Sequence, residues 1–283
     1  MKHAMVIGSN GFIARALIEE LTRSGIAVIP CDLVCDGGGN KILDVLDRDA
    51  VHDAAHGVDW VFNFAGLLGT TELNERAYEA AQVNIIGMIN VLDACLSSGV
   101  SRLIYPSKPP IWRNIYTATK AAADQIAHVY RCRGLDVRGI IVRNAYGPGQ
   151  RTGKVRKVVP DMVQRARSSR CIEIYGDGSQ PIDLIHVSDI AKIFLAAASL
   201  DRDQWSYNTP IESGNTVRVT ANELAEIVCQ GFPALTPRLS YLPMREGEDV
   251  EVPLPLPSGP FAAAVCGLEL APRDLLADIL RLI

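Results

Sequence analysis

Short apolar runs alternate with amphipathic stretches through the first half of the chain. Ala4–Ile7, Ile26–Cys31, Trp60–Ala65, Arg102–Tyr105 and Gly139–Arg143 read as strands, and the stretches 12–24, 47–56, about 74–98 and 117–133 read as helices. Continuously apolar strands, each followed by a helix, predict a parallel sheet covered on both faces. After about residue 144 the texture changes to frequent Pro and Gly with short helices and strands. There Asp183–Val187 reads as a strand returning to the first sheet, Pro253–Pro257 as an extended connection, and 273–282 as a short amphipathic helix. The pattern therefore predicts an α/β chain: a doubly wound parallel sheet over 1–143 and a smaller α/β unit over 144–283. The strand and helix near 183–200 are expected to join the two.

The turn after the first strand is Gly8-Ser9-Asn10-Gly11-Phe12-Ile13-Ala14. Gly8 permits a tight turn, Gly11 lets the backbone approach a ligand, and Ala14 lets the helix lie close on the strand. Exposed N–H groups and the positive end of the helix dipole then face an anion, as in a Rossmann cradle for a dinucleotide pyrophosphate. Alone, Gly-x-x-Gly-x-x-Ala also suits an ordinary strand–turn–helix corner. The second strand decides between them by ending at Asp32, roughly twenty residues after the turn. A carboxylate there hydrogen-bonds adenosine ribose hydroxyls and repels a 2′-phosphate, so the implied cofactor is NAD and not NADP.

Composition narrows the classes. A net charge of −4 argues against a nucleic-acid-binding surface. No uninterrupted apolar run reaches the roughly 18 residues of a membrane helix, and the N-terminus lacks the pattern of a signal peptide, so a cytoplasmic protein is expected. The seven cysteines are odd in number and form no Cys-x-x-Cys pair, which favours reduced thiols. His52 and His56 have metal-ligand spacing, but with no third ligand evident they read as a solvated helix face, and no metal is expected.

Tyr116-Thr117-Ala118-Thr119-Lys120 puts a phenol and an ammonium one helical turn apart. A cation favours tyrosinate, which takes a hydroxyl proton as hydride leaves for a nicotinamide. Such a pair is frequent by chance and gains meaning only downstream of a dinucleotide-binding half. Taken together, these motifs resemble the extended short-chain dehydrogenase/reductases, in particular the NAD-dependent nucleotide-sugar epimerase/dehydratase group. The resemblance runs to about residue 250 and implies further cofactor contacts. They are Asn10, Phe12 and Ile13 in the turn, Asp44 and Val45 at the adenine, Phe64-Ala65-Gly66 along the pyrophosphate, and Asn84 in an Asn-x-x-Gly motif, with Tyr116 and Lys120 beside the nicotinamide. Asn144-Ala145-Tyr146-Gly147-Pro148-Gly149, Ile174–Gly178 and Ile185–Asp189 match the substrate half, which implicates Asn144 and Tyr175 in substrate binding.

Three departures qualify this. Lys108 stands where the family places its catalytic hydroxyl, with Ser107 as its neighbour, so either residue could fill the role. Only eight residues separate Ser107 from Tyr116, so the loop that usually covers the sugar is almost absent. Ile182 replaces the arginine that usually precedes the aspartate Asp183. Compensation is available from the basic run Arg151, Lys154, Arg156 and Lys157, which equally suits a solvated face, and from Arg245, at the position of a phosphate-binding arginine. The leading expectation is an NAD-dependent epimerase or oxidoreductase on a nucleotide-linked or other phosphorylated sugar. Alternatives are an NAD-binding sensor or scaffold with an eroded site, and a ketoreductase or dehydratase, the latter weakened by Pro109-Pro110 in place of an acidic pair. The resemblance implies a homodimer through the helices at 79–98 and 117–133, and alanines 118, 121, 122, 123 and 127 would let helices approach closely there, though they equally suit packing on the sheet.

Overall fold

The computed structural model describes residues 1–35, 37–153, 155–248 and 259–282. Lys154 and the run Pro253–Pro257 lie outside the described residues. In chain order the elements are β1 (His3–Ile7), α1 (Phe12–Arg23), β2 (Ala27–Asp32), β3 (Lys41–Ile42), α2 (Arg48–Ala55), β4 (Trp60–Asn63), α3 (Ala77–Ala81), a π-helical turn over Gln82–Ile86, α4 (Gly87–Ser97), β5 (Arg102–Ser107), α5 (Ile115–Cys132) and β6 (Val137–Ile141). The second half adds β7 (Asn144–Tyr146), α6 (Val158–Ser168), β8 (Cys171–Tyr175), β9 (Pro181–His186), α7 (Val187–Ser199), β10 (Ile211–Glu212), β11 (Val217–Thr220), α8 (Ala221–Gln230), β12 (Arg238–Leu242), α9 (Ala262–Val265) and α10 (Leu275–Leu280).

Seven strands form the main sheet in the order β10-β6-β5-β4-β1-β2-β3, every pair parallel. Period-two alternation sends neighbouring side chains of one strand into different cores. Met5, Ile7, Val61, Leu103 and Tyr105 pack with Val51 of α2, Val91 and Leu92 of α4 and Ala127 of α5. Ala4, Val6, Phe62 and Ile104 pack on the other face with Leu17 of α1 and Ile190 and Phe194 of α7. A third core joins Met162, Ile172, Ile174, Leu184, Leu224 and Ile279 in the second half.

The strand expected to return to the first sheet does not. β9 lies between β7 and β11 in a separate three-stranded sheet, and β8 pairs with β12. The connection back is made instead by α7, which packs on α1, and by the two residues of β10 beside β6. Leu184 seals the third core while Ile185, its neighbour, seals the second, so β9 sits between them. The helical run Asn74–Ser97, though interrupted by polar residues, is long and apolar enough by length and composition to cross a membrane. In the fold half of its apolar window is buried, with Met88, Val91, Leu92 and Cys95 in the first core.

Candidate active site

The glycine turn has the geometry its residues require. Gly8 has φ +77°, and a Cβ there would stand 2.8 Å from the Phe64 carbonyl carbon. The Gly8 and Ser9 amides both donate to the Cys31 carbonyl at the end of β2. Gly11 caps α1 without a side-chain hydrogen bond and no acid occupies the first turn, so the N–H groups at Phe12 and Ile13 keep their capacity for an anion. The Asn10 amide donates to Asp32 Oδ2 at 2.9 Å, which fixes the carboxylate beside the turn. Ser9 Oγ is buried there with no partner among the described residues. An open helix end, a backbone approach only glycine allows and a fixed acid at the strand tip fit a dinucleotide.

The remaining cofactor candidates divide between surface and support. Phe64 and Ala65 lie half-buried where the chain leaves β4, and Gly66 is exposed. Asp44 accepts from the Leu46 amide, whereas Val45 is sealed against Gly87, where a Cβ would meet it at 2.7 Å. Asn84 is buried in the π-helical turn. Its Oδ1 accepts from the Leu67 amide at 2.8 Å, and its Nδ2 donates to the Leu67 carbonyl and to Thr119 Oγ1 at 3.1 and 3.0 Å. Asn84 thus spends its amide tying the 64–67 loop to α5. π-turns of this kind recur where a helix positions functional groups.

At the N-terminus of α5, Asn114 accepts from the Thr117 amide, and Tyr116 and Lys120 follow on one face. Lys120 Nζ donates to the Pro106 carbonyl at 2.6 Å. Burial lowers its pKa, and the Asp124 carboxylate works in the opposite direction. Burial first, and Asp124 second, push the Tyr116 phenol well above its usual range. The expected tyrosinate rests on a nearby cation together with the positive ring of the bound cofactor, and burial with Asp124 opposes it.

Ser107 and Lys108 take different environments. Ser107 is buried and its Oγ donates to Asp124 Oδ2 at 2.6 Å. Burial raises the Asp124 carboxyl, while the bonds from Ser107 and Tyr105 and the charge of Lys120 oppose that rise. Lys108 Nζ donates to Thr117 Oγ1 and stands 5.3 Å from the Trp112 ring centroid and 5.4 Å from that of Tyr116. Burial brings its pKa down to about 8, with Lys120 adding to the fall and Glu248 opposing it. The sequence reading missed Asp124, although it lies one turn beyond Lys120 on the same helix face, and it missed Trp112 in the shortened loop.

The chain after β12 closes over this helix end. Asn114 Nδ2 donates to the Gly247 carbonyl at 3.3 Å, and Thr70 Oγ1 donates to Glu248 Oε1 at 3.3 Å. Arg245 pairs with Glu248 and lies over the Tyr175 ring at 4.9 Å from its centroid. Within the basic run, Arg151 is exposed, Arg156 is bound to Asp161, Glu173 and the Tyr175 hydroxyl, and half-buried Lys157 feels the charge of Glu72. Asn144 donates to the Asp183 carbonyl within the second sheet. Across the ladder from β9, Arg218 of β11 lies opposite Asp183 and binds it with two 2.6 Å hydrogen bonds. On α2, Asp53 joins His52 and His56 as a third donor, the ligand atoms lying within 4.8 Å of one another. That donor was not counted in the sequence reading.

A parallel sheet with a glycine turn at β1, an acid at the tip of β2 and a Tyr-x-x-x-Lys helix beside β5 defines a dinucleotide-dependent α/β oxidoreductase scaffold. The chain belongs to the NAD dependent epimerase/dehydratase family, whose profile matches residues 4–209. It is 24% identical over 258 residues, 80% of each chain, to a UDP-N-acetyl-alpha-D-glucosaminuronate decarboxylase of Bacillus cytotoxicus. Its fold is shared with a UDP-N-acetylglucosamine 4-epimerase from Methanobrevibacter ruminantium, with TM-score 0.86, 22% identity and coverage of 99% and 96% of the two chains. It is likewise shared with the dTDP-glucose 4,6-dehydratase DesIV of Streptomyces venezuelae, solved with NAD bound, with TM-score 0.86, 21% identity and coverage of 99% and 95%.

Proposed function

We propose that the protein transfers hydride reversibly between NAD and a carbon of a nucleotide-linked sugar, as an epimerase or oxidoreductase. One observation carries the reading. The segment bearing Arg245 docks on Asn114 and Thr70, and so brings a basic, aromatic wall to the end of α5 where Tyr116 stands. A nucleotide diphosphate on Arg245 and Tyr175 would leave the sugar between that wall and the glycine turn. NAD, when bound, supplies the hydride acceptor.

The residues of the chain handle the proton. Tyr116, held protonated by burial, is set to give a proton to a carbonyl oxygen. In the opposite sense a cation at the ring face favours the phenolate, and Lys108 is placed to supply it. Lys120 braces β5 through the Pro106 carbonyl, and by the family resemblance it also meets the nicotinamide ribose. Asp32 selects NAD over NADP. The same reading has the protein act as a cytoplasmic homodimer through α4 and α5. Support comes from the exposed Tyr78, Ile86 and Val129 on this helical layer and from the seven free thiols.

The test is reduction of NAD on mixing the protein with sugar nucleotides. Tyr116→Phe is expected to abolish it while NAD still binds.

A further inference from the structure

The arginines withdrawn from solvent among the described residues have carboxylates of their own. Arg102, Arg131 and Arg138 share Asp136. Arg143 holds Asp183 and Glu212, and Arg273 holds Asp189. Lys108 differs. Among the described residues its hydrogen bond goes to a hydroxyl, that of Thr117, and it lies near the ring faces of Trp112 and Tyr116. The charges that act on it are those of Glu248 and Lys120. Lys120 repels it from α5, and Asp124 behind Ser107 is engaged with Ser107 and Lys120. Glu248 attracts it from the segment after β12, but both carboxylate oxygens of Glu248 are committed to Arg245. A partly buried ammonium with only a hydroxyl for company is costly, and an anionic ligand relieves that cost through a charge-assisted bond.

We propose that Lys108 reads a carboxylate on the substrate sugar, so that the protein's substrate is a nucleotide-linked uronate. The inference rests on the nucleotide-sugar reading above and sharpens it. The ammonium lies against the Tyr116 ring, so the carboxylate it binds belongs to the part of the sugar next to the reacting hydroxyl. A neutral hexose at the same place offers the ammonium a hydroxyl acceptor but no opposite charge. The desolvated amine also explains a pH signature. Near its pKa of about 8 a fraction of Lys108 is neutral, and a bound carboxylate draws a proton onto it.

Calorimetric titration of the whole protein, loaded with NAD, tests this with UDP-glucuronate against UDP-glucose and the corresponding dTDP pair. The expected result is uronate binding about 10- to 100-fold tighter, the range of a hydrogen bond to a charged group. Uronate binding near pH 8 should take up protons, read from buffers of different ionisation enthalpy, and glucoside binding should not. Lys108→Met should bring the two affinities together, Lys108→Arg should keep them apart, and the preference should shrink as pH rises from about 7 to about 9.5. Equal affinities in the unmodified protein, or a preference that survives Lys108→Met, would overturn the proposal while leaving the nucleotide-sugar reading intact. Binding of neither class contradicts that reading and the proposal with it. If Lys108→Met does not fold, Lys108→Arg and the pH series decide, and a preference unchanged across that range overturns the proposal.

Discussion

Ser107 and Lys108 are adjacent in the chain and do unrelated work. Side chains alternate along β5, so Ser107 shares the face of Tyr105, and both meet Asp124 beneath α5. Lys108, one residue beyond, turns to Trp112 and Tyr116. The sequence held this distinction, because counting in twos from the buried Tyr105 places residue 107 on the core side. What it did not hold was the partner, since nothing local marks Asp124 as the group that receives the Ser107 proton. Ser107→Ala is expected to act on stability. Removing a hydrogen bond to a partly buried carboxylate should cost about 1–3 kcal/mol in urea unfolding, with little effect on hydride transfer. A loss of catalysis on the order of 10²-fold with unchanged stability would instead show that Ser107 fills the catalytic role. The sign of the pH effect follows from the raised Asp124 carboxyl. Between the ordinary carboxylate value and the raised one, the folded state holds the extra proton, so this group's contribution to stability falls as pH climbs through that window.

At the scale of elements, the glycine turn, β1, β2, α5 and the acid at Asp32 were all legible, because each rests on local spacing. Pairing between distant strands was not. Apolar alternation identifies β9 as a strand but says nothing about which sheet takes it, and β10 is too short to show a period at all. The π-helical turn was equally hidden, since Asn84 in a helical run gives no sign that its amide closes three hydrogen bonds. Those bonds make a prediction. Asn84→Ala would leave the Leu67 amide and carbonyl without their partner. Each unsatisfied buried group costs about 1–3 kcal/mol, so unfolding stability should drop by about 2 kcal/mol or more. Hydrogen exchange should quicken first in the 64–67 loop. Unchanged exchange there would show that the loop holds itself.

For the whole molecule, the proposed site draws on both halves of the chain. The main sheet supplies the dinucleotide turn and α5, and the segment bearing Arg245, proposed to hold the substrate with Tyr175, meets Asn114 at the start of α5 through Gly247 and Thr70 through Glu248. The proposed dimer belongs to this scale too. Ala123 and Ala127 are buried against the sheet, while Ala118 and Val129 face outward on the same helix. Light scattering should give a dimeric mass at micromolar concentration, and Val129→Asp should lower it toward the monomer. A monomeric mass for the unmodified chain would remove the interface. The most direct measurement of the account as a whole is the nicotinamide absorbance of the protein mixed with NAD and a panel of UDP- and dTDP-sugars. The account predicts that NADH forms with at least one sugar nucleotide, that Tyr116→Phe forms none while retaining NAD affinity, and that NADP does not substitute. NADH formation undiminished in Tyr116→Phe, or neither transient NADH nor conversion of any sugar nucleotide by a protein that binds both ligands, would contradict it.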